Sequence, residues 1–204
     1  KFVEATEMVP KIREEQSYFD IRDPFIAAFN LRIHQPKDSI IRYQRSVDFM
    51  TAEATVSVEN RRNSFQRSTF VSRSDDVVVV RLKGKNKLSA KFSFEGLIPK
   101  NENEERIVVE GIKSKQEGVK EDLLYFKTLF ANTNSFNPNI GYEGVGKIIT
   151  DGGSFTKSEN GLAVADADEI LLLMKVRPIL KTDTELTNYK EMAETINNLT
   201  PDYK

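Results

Sequence analysis

An all-β sandwich of two antiparallel sheets packed face to face is the class that the sequence predicts. Apolar and polar residues alternate most clearly in Ala54–Val58 and Leu88–Phe94, where every second side chain is apolar. Turn-forming residues separate the β-branched and aromatic segments, as in Asn60–Asn63, Gly84–Asn86 and Asp151–Gly153. No helical period falls between the predicted strands, so the pattern favours an antiparallel sandwich over an α/β fold.

A short helical segment is predicted at each end of the strand series. Residues 2–18 contain helix-forming residues interrupted by Pro10, so we expect a partly helical lead-in over 1–20. The tail 184–199 carries apolar residues at helical spacing, and Thr200-Pro201 ends that helix. Strands are predicted near 25–34, 42–49, 52–59, 64–71, 76–83, 87–95, 106–111, 140–150, 161–165 and 168–176.

One long segment breaks the strand rhythm. Residues 112–138 begin with a charge-rich run, continue through apolar residues and end in an Asn/Ser-rich stretch. We expect a long excursion between strands, with a helical turn at its centre. The chain then divides into a β-domain over 1–180 and a helical linker over 181–204.

Composition places the chain among soluble globular proteins and excludes several functions. Of 204 residues, 39% are hydrophobic and 30% charged, and 30 Lys and Arg face 31 Asp and Glu, for a formal charge of -1. The basic residues are dispersed, so nucleic acid is not an expected partner. No apolar run is long enough to cross a bilayer, and the N-terminal residues lack the pattern of a signal peptide. Because the chain starts at Lys1, we expect a processed or excised piece.

The segment Gly141–Lys147 formally satisfies the pattern of a phosphate-binding loop. That chemistry needs a helix after the loop and a hydroxyl residue after the lysine. Here Ile148 follows the lysine, and the next residues read as a strand entering a turn. The pattern without its context does not support a nucleotide cofactor.

The acidic residues and the single histidine are also expected to have structural roles. Asp75 and Asp76 fit a polar turn with solvated, ionised carboxylates. The run Asp166–Glu169 offers too few oxygen donors for calcium and reads as a charged turn between two strands. His34, the only histidine, is expected at a strand end and cannot build a metal site or a Ser-His-Asp triad.

No catalytic, metal or cofactor residue is predicted, and binding residues are left unassigned. Glycosidic chemistry needs two carboxyls held around a sugar ring, and none of the 31 acidic residues forms such a pair by sequence. Trp is absent, and most of the 13 Phe fall at alternating strand positions, which favours a core role over a sugar-stacking platform. The absence of Cys excludes disulfides and thiolate ligands.

Ordered sequence blocks carry a family resemblance over roughly 25–175. The chain resembles the N-terminal β-sandwich domain of glycoside hydrolase family 95. The blocks are Tyr43–Phe49, Thr51–Val58, Phe65–Ser72, Asp76–Arg81, Gly141–Glu143, Asp151–Gly153, Gly161–Val164 and Ala167–Leu173.

The resemblance implies the non-catalytic part of a multidomain enzyme, an inverting α-L-fucosidase or α-L-galactosidase. In that family the N-terminal domain is a two-sheet super-sandwich, and a helical linker leads from it to an (α/α)6 barrel that carries the acid and the base. Their motifs match no position here, because they would lie beyond residue 204. The barrel is thus the expected partner, complex glycans are the expected substrates, and an exported location, secreted or periplasmic, follows by analogy.

The chain departs from the family pattern at Asn60–Asn63, at Ser74 and after Leu173, and it lacks the family's N-terminal Gly-Asn-Gly motif. Two alternatives stay open. One is a free-standing carbohydrate-binding or interaction protein. The other is the N-terminal domain of a family 65 disaccharide phosphorylase, which has a similar sandwich before a similar barrel.

The four consecutive valines Val77–Val80 carry a structural expectation. A continuous apolar run predicts a strand covered on both faces. We expect one face against the opposing sheet and the other against the linker or the barrel.

Overall fold

A computed structural model of the chain describes residues 8, 11, 28–61, 63–96, 111–131, 139–183 and 185–199. Strands dominate this part of the chain, and one helix follows them. The elements are β1 (Asn30–His34), β2 (Ile40–Asp48), β3 (Glu53–Asn60), β4 (Ser64–Ser72), β5 (Val77–Glu95), β6 (Ile112–Lys120), β7 (Leu123–Phe130), β8 (Asn139–Asp151), β9 (Ser154–Ser158), β10 (Gly161–Leu180) and α1 (Tyr189–Asn198).

All ten of these strands belong to one antiparallel hydrogen-bonded sheet. Its order is β2-β3-β4-β5-β10-β8-β7-β6, while β1 pairs with β5 and β9 pairs with β10. The all-β prediction is therefore confirmed. The predicted division into two sheets is not confirmed, because hydrogen bonding runs without a break through the central strands β5 and β10.

The two central strands correct the sequence prediction. The segments 76–83 and 87–95 form the single strand β5, so the hairpin predicted at Gly84–Asn86 is wrong. The segments 161–165 and 168–176 form the single strand β10, so the run Asp166–Glu169 is not a turn between strands. Polar residues in mid-strand look like turns in sequence, but here they mark the place where both strands change direction.

That change of direction is visible in the pairing register. Lys83 lies opposite Glu169 and Leu88 lies opposite Ala167, so four residues of β5 oppose one residue of β10. Asp166 adopts a positive φ of 58° at this irregularity. Bulges of this kind bend a strand, and here they separate two ends of the sheet. One end of β5 pairs with β4, and the other end pairs with β1.

The inner core lies between these two ends of the sheet. Phe94, near the end of β5, packs against Gly146 of β8, where an added Cβ would lie 2.8 Å from the Phe94 ring. Phe29, just before β1, packs on Phe94 with ring centroids 4.3 Å apart. The buried members of this core are Val80, Leu82, Leu88, Ala90, Phe92, Phe94, Leu124, Phe126, Leu162, Val164, Ala167, Ile170, Leu172 and Met174.

A second core lies on the outer face of the same sheet, beneath α1. The helix contributes Tyr189, Met192, Ala193 and Ile196, as expected from their helical spacing. The sheet contributes Val77, Val79, Leu123, Tyr125, Val145, Leu171 and Leu173. The four-valine run is thus covered on both faces as predicted, and the cover on the outer face is the helix of the predicted linker.

The segment 112–138 is the other place where the prediction is wrong. Instead of an excursion it contains strands β6 and β7, joined by a two-residue turn in which Glu121 has a φ of 57°. Most of β6 is exposed, so its charges reflect an edge strand with little buried surface. The short strand β9 was also not predicted, since all five of its residues are exposed.

Two further predictions fall largely on parts of the chain that the structure does not describe. The lead-in over 1–20 lies outside the described residues apart from positions 8 and 11, and the strand predicted at 106–111 lies outside them except for residue 111. Where the structure is described, no helix is long and apolar enough to cross a membrane.

Candidate functional site: the helix seat around Glu143

The segment Gly141–Lys147 lies within strand β8, which agrees with the predicted strand and not with a phosphate-binding loop. Its glycines have a packing role. An added Cβ on Gly144 would lie 2.7 Å from the Phe29 ring, and one on Gly146 would meet Phe94. Side chains alternate across a strand, so Glu143 and Val145 face the other way, toward α1.

Glu143 is the centre of the site that we call the helix seat, formed by Glu143, Tyr125 and the apolar residues beneath α1. Glu143 has no exposed surface. The Tyr125 hydroxyl donates to its Oε1 at 2.7 Å, and the Thr187 hydroxyl donates at 2.9 Å. The backbone N–H of Asn188 donates to Oε2. A buried carboxylate is costly unless such hydrogen bonds compensate it, and here the segment before α1 supplies two of the three donors.

The start of α1 explains why a carboxylate is useful at this place. Asn188 is the N-cap residue, yet its side chain makes no capping hydrogen bond. The first backbone N–H groups of a helix lack partners within the helix, and the helix dipole favours negative charge there. The Glu143 carboxylate, on a strand that is distant in sequence, therefore takes the place of a local capping side chain.

Two tyrosines flank Glu143 and join the sheet to the helix. Tyr125 and Tyr189 meet edge to face with ring centroids 5.6 Å apart. The ammonium of Lys120 lies 3.7 Å from the Tyr189 ring centroid, and the Tyr189 hydroxyl donates to the Lys120 carbonyl at 3.2 Å. This arrangement fixes the first turn of the helix against the β6–β7 hairpin.

The phenols remain protonated donors over the physiological pH range. Burial, followed by the hydrogen bond to Glu143, raises the pKa of Tyr125 well above its usual range. Burial, followed by the charge of Glu121, raises the pKa of Tyr189 to about 12. The hydrogen bond from Tyr125 to Glu143 is therefore kept at neutral pH.

Three basic side chains of the sheet hold α1 and the residues before it. Lys127 donates to the Leu186 carbonyl, and Arg177 pairs with Glu191 in the first helical turn. At the other end, Lys147 donates to the Asn197 carbonyl at 3.3 Å, which suits the negative end of the helix dipole. The helix is thus bound at both ends as well as along its apolar face.

The two acidic residues before the valine run lie away from the helix seat. Asp75 and Asp76 lie in the turn before β5, as predicted. Asp76 has a positive φ of 53°, and its carboxylate accepts a hydrogen bond of 2.8 Å from the buried ammonium of Lys175. That hydrogen bond, followed by the charge of Lys175, lowers the pKa of Asp76. The side chain is solvated and ionised, and it also neutralises a buried lysine.

The run Asp166–Glu169 is engaged by neighbouring cations. Asp168 pairs with Lys87 at 2.6 Å. Glu169 accepts two hydrogen bonds from Arg81, at 2.6 and 2.9 Å. Among the described residues, no group of three or more His, Asp and Glu could hold a metal ion. His34 is the last residue of β1, as expected, and it is exposed.

A shallow polar groove lies across strands β2–β5. Gln44, Ser57, Gln66 and Lys83 are register partners across the four strands and line this groove. Amide, hydroxyl and ammonium groups in such a row are typical of the solvated face of an antiparallel sheet. The groove is open to solvent, so we assign it no ligand.

Sequence reasoning did not single out Glu143 or Lys175. Both are charged residues at positions that share a strand face with apolar neighbours. Glu143 alternates with Val145, and Lys175 alternates with Leu173. The available signal was a charged residue on the apolar face of a predicted strand. The partners could not be predicted, because Thr187 lies 44 residues from Glu143 and Asp76 lies 99 residues from Lys175.

The fold and the helix seat define the class of this protein, an all-β domain whose sheet carries a C-terminal helix on its outer face. The family model described as "Glycosyl hydrolase family 65, N-terminal domain" matches residues 5–181. Because the match covers most of the chain, the chain belongs to this family. The match confirms the prediction of a glycoside hydrolase N-terminal domain. The family it identifies is family 65, whereas the sequence blocks resemble family 95.

Solved structures agree with this fold. A candidate kojibiose phosphorylase from human microbiome superimposes with a TM-score of 0.52 at 10% sequence identity. The alignment covers 84% of this chain and 25% of that chain, so the chain spans about a quarter of the length of that protein. No curated protein matches the chain significantly in sequence.

Proposed function

We propose that the chain is the non-catalytic N-terminal domain of a family 65-type disaccharide phosphorylase, and that α1 begins the connection to a catalytic barrel. The family match over 5–181 carries the proposal. The match ends just before the segment that leads into α1, so the helix seat lies at the border between this domain and the proposed barrel. A catalytic domain is the partner that this family membership implies.

The helix seat supports a structural role for the only fully buried carboxylate among the described residues. Glu143 has no solvent-exposed surface and is covered by the first turn of α1. A sugar could not reach it without displacing the helix. Asp168 and Glu169 are held by cations on the sheet surface. These three carboxylates therefore serve the fold, and we assign catalysis to the proposed barrel.

The reaction is tested by comparing the 204-residue chain with the complete reading frame that contains it. We expect the longer protein to cleave kojibiose or a related α-linked glucose disaccharide only when inorganic phosphate is present, with release of a sugar phosphate. The isolated 204-residue chain should be inactive with and without phosphate. Turnover by the isolated chain would contradict a non-catalytic domain.

A second candidate is the N-terminal domain of a family 95-type α-L-fucosidase or α-L-galactosidase. The ordered sequence blocks between 43 and 173 favour it. Under this candidate the longer protein would hydrolyse aryl α-L-fucosides or α-L-galactosides in the absence of phosphate, and export from the cell would be expected. The phosphate dependence of turnover therefore separates the two candidates, and fractionation of the native cells tests the location.

A further inference from the structure

Strand β2 lies at one edge of the sheet formed by the described strands. All nine of its residues are exposed, and in the described part of the chain it pairs with β3 alone. The exposed residues include apolar ones, since Tyr43 is 50% and Val47 is 58% exposed. At the tip of the β2–β3 hairpin, Phe49 and Met50 are more than 90% exposed.

Open edges with apolar side chains attract further strands, and most proteins protect them. Prolines, charged side chains, bulges and inward-pointing charges are the usual protection. Of these, β2 has charged side chains at Arg42, Arg45 and Asp48. β2 has no proline, and its single irregularity lies near Ile41, at the beginning of the strand. Within the described ranges, the segment from Arg42 to Asp48 therefore presents a regular row of backbone groups, on the side away from β3, that no other strand pairs with.

The sequence of β2 is complementary to itself in one antiparallel arrangement. Two strands related by a two-fold axis perpendicular to the sheet must place a residue opposite its own copy, because opposed side chains share a face. With the axis at Gln44, the two amides face each other and can exchange hydrogen bonds. Tyr43 then lies opposite Arg45 of the second copy, and Arg42 lies opposite Ser46.

Charge and stacking favour this register over its neighbours. An axis at Arg42 or at Arg45 would place two guanidinium groups opposite each other, which is destabilising. An axis at Tyr43 would place Arg45 opposite the apolar Ile41. Within one chain the Arg45 guanidinium already lies 5.6 Å from the Tyr43 ring centroid. The Gln44 register repeats this favourable cation–π pair twice across the interface.

We propose that two copies of this chain associate edge to edge through antiparallel pairing of β2, with the two-fold axis at Gln44. The dimer joins the two sheets into one and covers Tyr43 and Val47 on the paired edges. The interface is short, so a micromolar dissociation constant is expected.

Sedimentation of the 204-residue chain over a range of concentrations tests the proposal. The wild type should shift with rising concentration from 23.3 kDa toward twice that mass. Gln44→Lys and Gln44→Glu each place like charges on the axis, so each variant alone should remain monomeric. An equimolar mixture of the two should restore the dimer, because the opposed charges then attract. A wild type that stays monomeric at all concentrations would overturn the proposal, as would dimers that both single variants leave intact.

Cysteine cross-linking tests the register, and the chain contains no native cysteine to interfere. Opposed Cα atoms in antiparallel strands are about 4.5–5.5 Å apart, which a disulfide can bridge. Gln44→Cys should therefore form a cross-linked dimer on oxidation. Ser46→Cys alone should not, because its two copies are displaced by about 13 Å along the strands. A mixture of Arg42→Cys and Ser46→Cys should cross-link, and efficient cross-linking of Ser46→Cys alone would refute the register.

The same edge could instead be covered by the remainder of a longer polypeptide. Gln44→Cys is therefore also tested in the complete reading frame. A cross-linked dimer there supports pairing between copies. A monomeric protein in which the introduced cysteine is protected from thiol reagents would overturn the dimer, while leaving the proposed function of the domain untouched.

Discussion

At the scale of single residues, Glu143 shows how a buried charge can be required by the segment it holds. Its hydrogen-bond donors come from a neighbouring strand and from the residues before α1. If the carboxylate is removed, the Tyr125 hydroxyl and the Asn188 N–H stay buried without an acceptor. The loss of a partner usually costs more than the hydrogen bond contributes when it is present.

Glu143→Ala should therefore lower the free energy of unfolding by about 3 kcal/mol. Urea denaturation would measure the loss, and hydrogen exchange should show that the amides of α1 lose protection first. Glu159→Ala, on an exposed turn, is the matched control and should change stability by less than about 0.5 kcal/mol. Equal effects of the two substitutions would contradict the role of the helix seat.

Asp76 contributes to folding stability in a way that depends on pH, and the direction of that dependence follows from its lowered pKa. Its pKa in the folded chain is lowered by the hydrogen bond from Lys175 and by that ammonium's charge. Folding therefore gains stability above the unfolded pKa of about 3.9, and this gain is lost as the pH falls through the lower folded pKa. Because 82% of the Asp76 side chain is exposed, solvent screening limits the gain to about 1 kcal/mol or less.

Melting temperatures of the wild type and Asp76→Asn, measured between about pH 7 and about pH 2.5, test this linkage. The variant should melt lower at pH 7, and the difference should shrink below about pH 4. Asp151→Asn, at the exposed end of β8, serves as the control. A difference that grows in acid would show that the sign of the linkage is wrong.

At the scale of elements, α1 contributes a full apolar face to the outer core. Ile196 and Met192 are completely buried against the sheet, although the N-cap residue Asn188 makes no side-chain capping hydrogen bond. A ten-residue helix is marginal in isolation, so packing must supply most of its stability. Sequence periodicity could predict this helix because its apolar residues recur at helical spacing and form one face that is buried against the sheet.

Ile196→Ala should lower the free energy of unfolding by about 3 kcal/mol, through lost burial and the cavity that remains. Chemical denaturation would measure it, with Glu194→Ala on the exposed side of α1 as the control. If α1 were only loosely attached, both substitutions would have the same small effect.

Strand β8 depends on its glycines to admit the opposing aromatic rings. Gly146→Ala would bring a methyl group within 2.8 Å of the Phe94 ring, so overpacking should cost about 1–3 kcal/mol. The smaller side chain of Phe94→Leu should recover part of this loss in the double variant. A double-mutant cycle from urea unfolding measures the coupling, and strict additivity would show that the two residues do not share the space.

Two elements could not be predicted because their signals depend on the assembled sheet. Gly84–Asn86 has the composition of a hairpin turn, yet Gly84 has no left-handed φ. The backbone N–H of Asn86 donates to the side chain of Asn63, which lies just before β4. The charges of β6 resemble a solvated loop, although Leu123–Phe126 of β7 are all buried beside it. Local composition cannot reveal such pairings, whereas the alternation in β3 and β4 follows from burial of one face.

At the scale of the whole molecule, the fold follows a family architecture that the sequence blocks indicated only in part. The all-β class, the outer cover on Val77–Val80 and the C-terminal helix could be predicted from periodicity. The choice between family 65 and family 95 could not, because it rests on the family match over residues 5–181 and not on the sequence blocks. Glu143 was missed for another reason, since its partners are distant in sequence.

The central pairing of β5 with β10 also sets the order in which the chain can fold. Val78 pairs with Met174, nearly half the chain away. A ribosome adds about 5–20 residues per second, so β5 is synthesised roughly 5–20 s before its partner strand. During that time four consecutive valines lack the partner strand and helix that will cover them, so the chain is most prone to aggregation in this interval.

Stopped-flow refolding should show a single slow phase with a relaxation time of milliseconds to seconds or longer. Nascent chains that end before residue 161 should bind a hydrophobic dye that the finished protein does not bind.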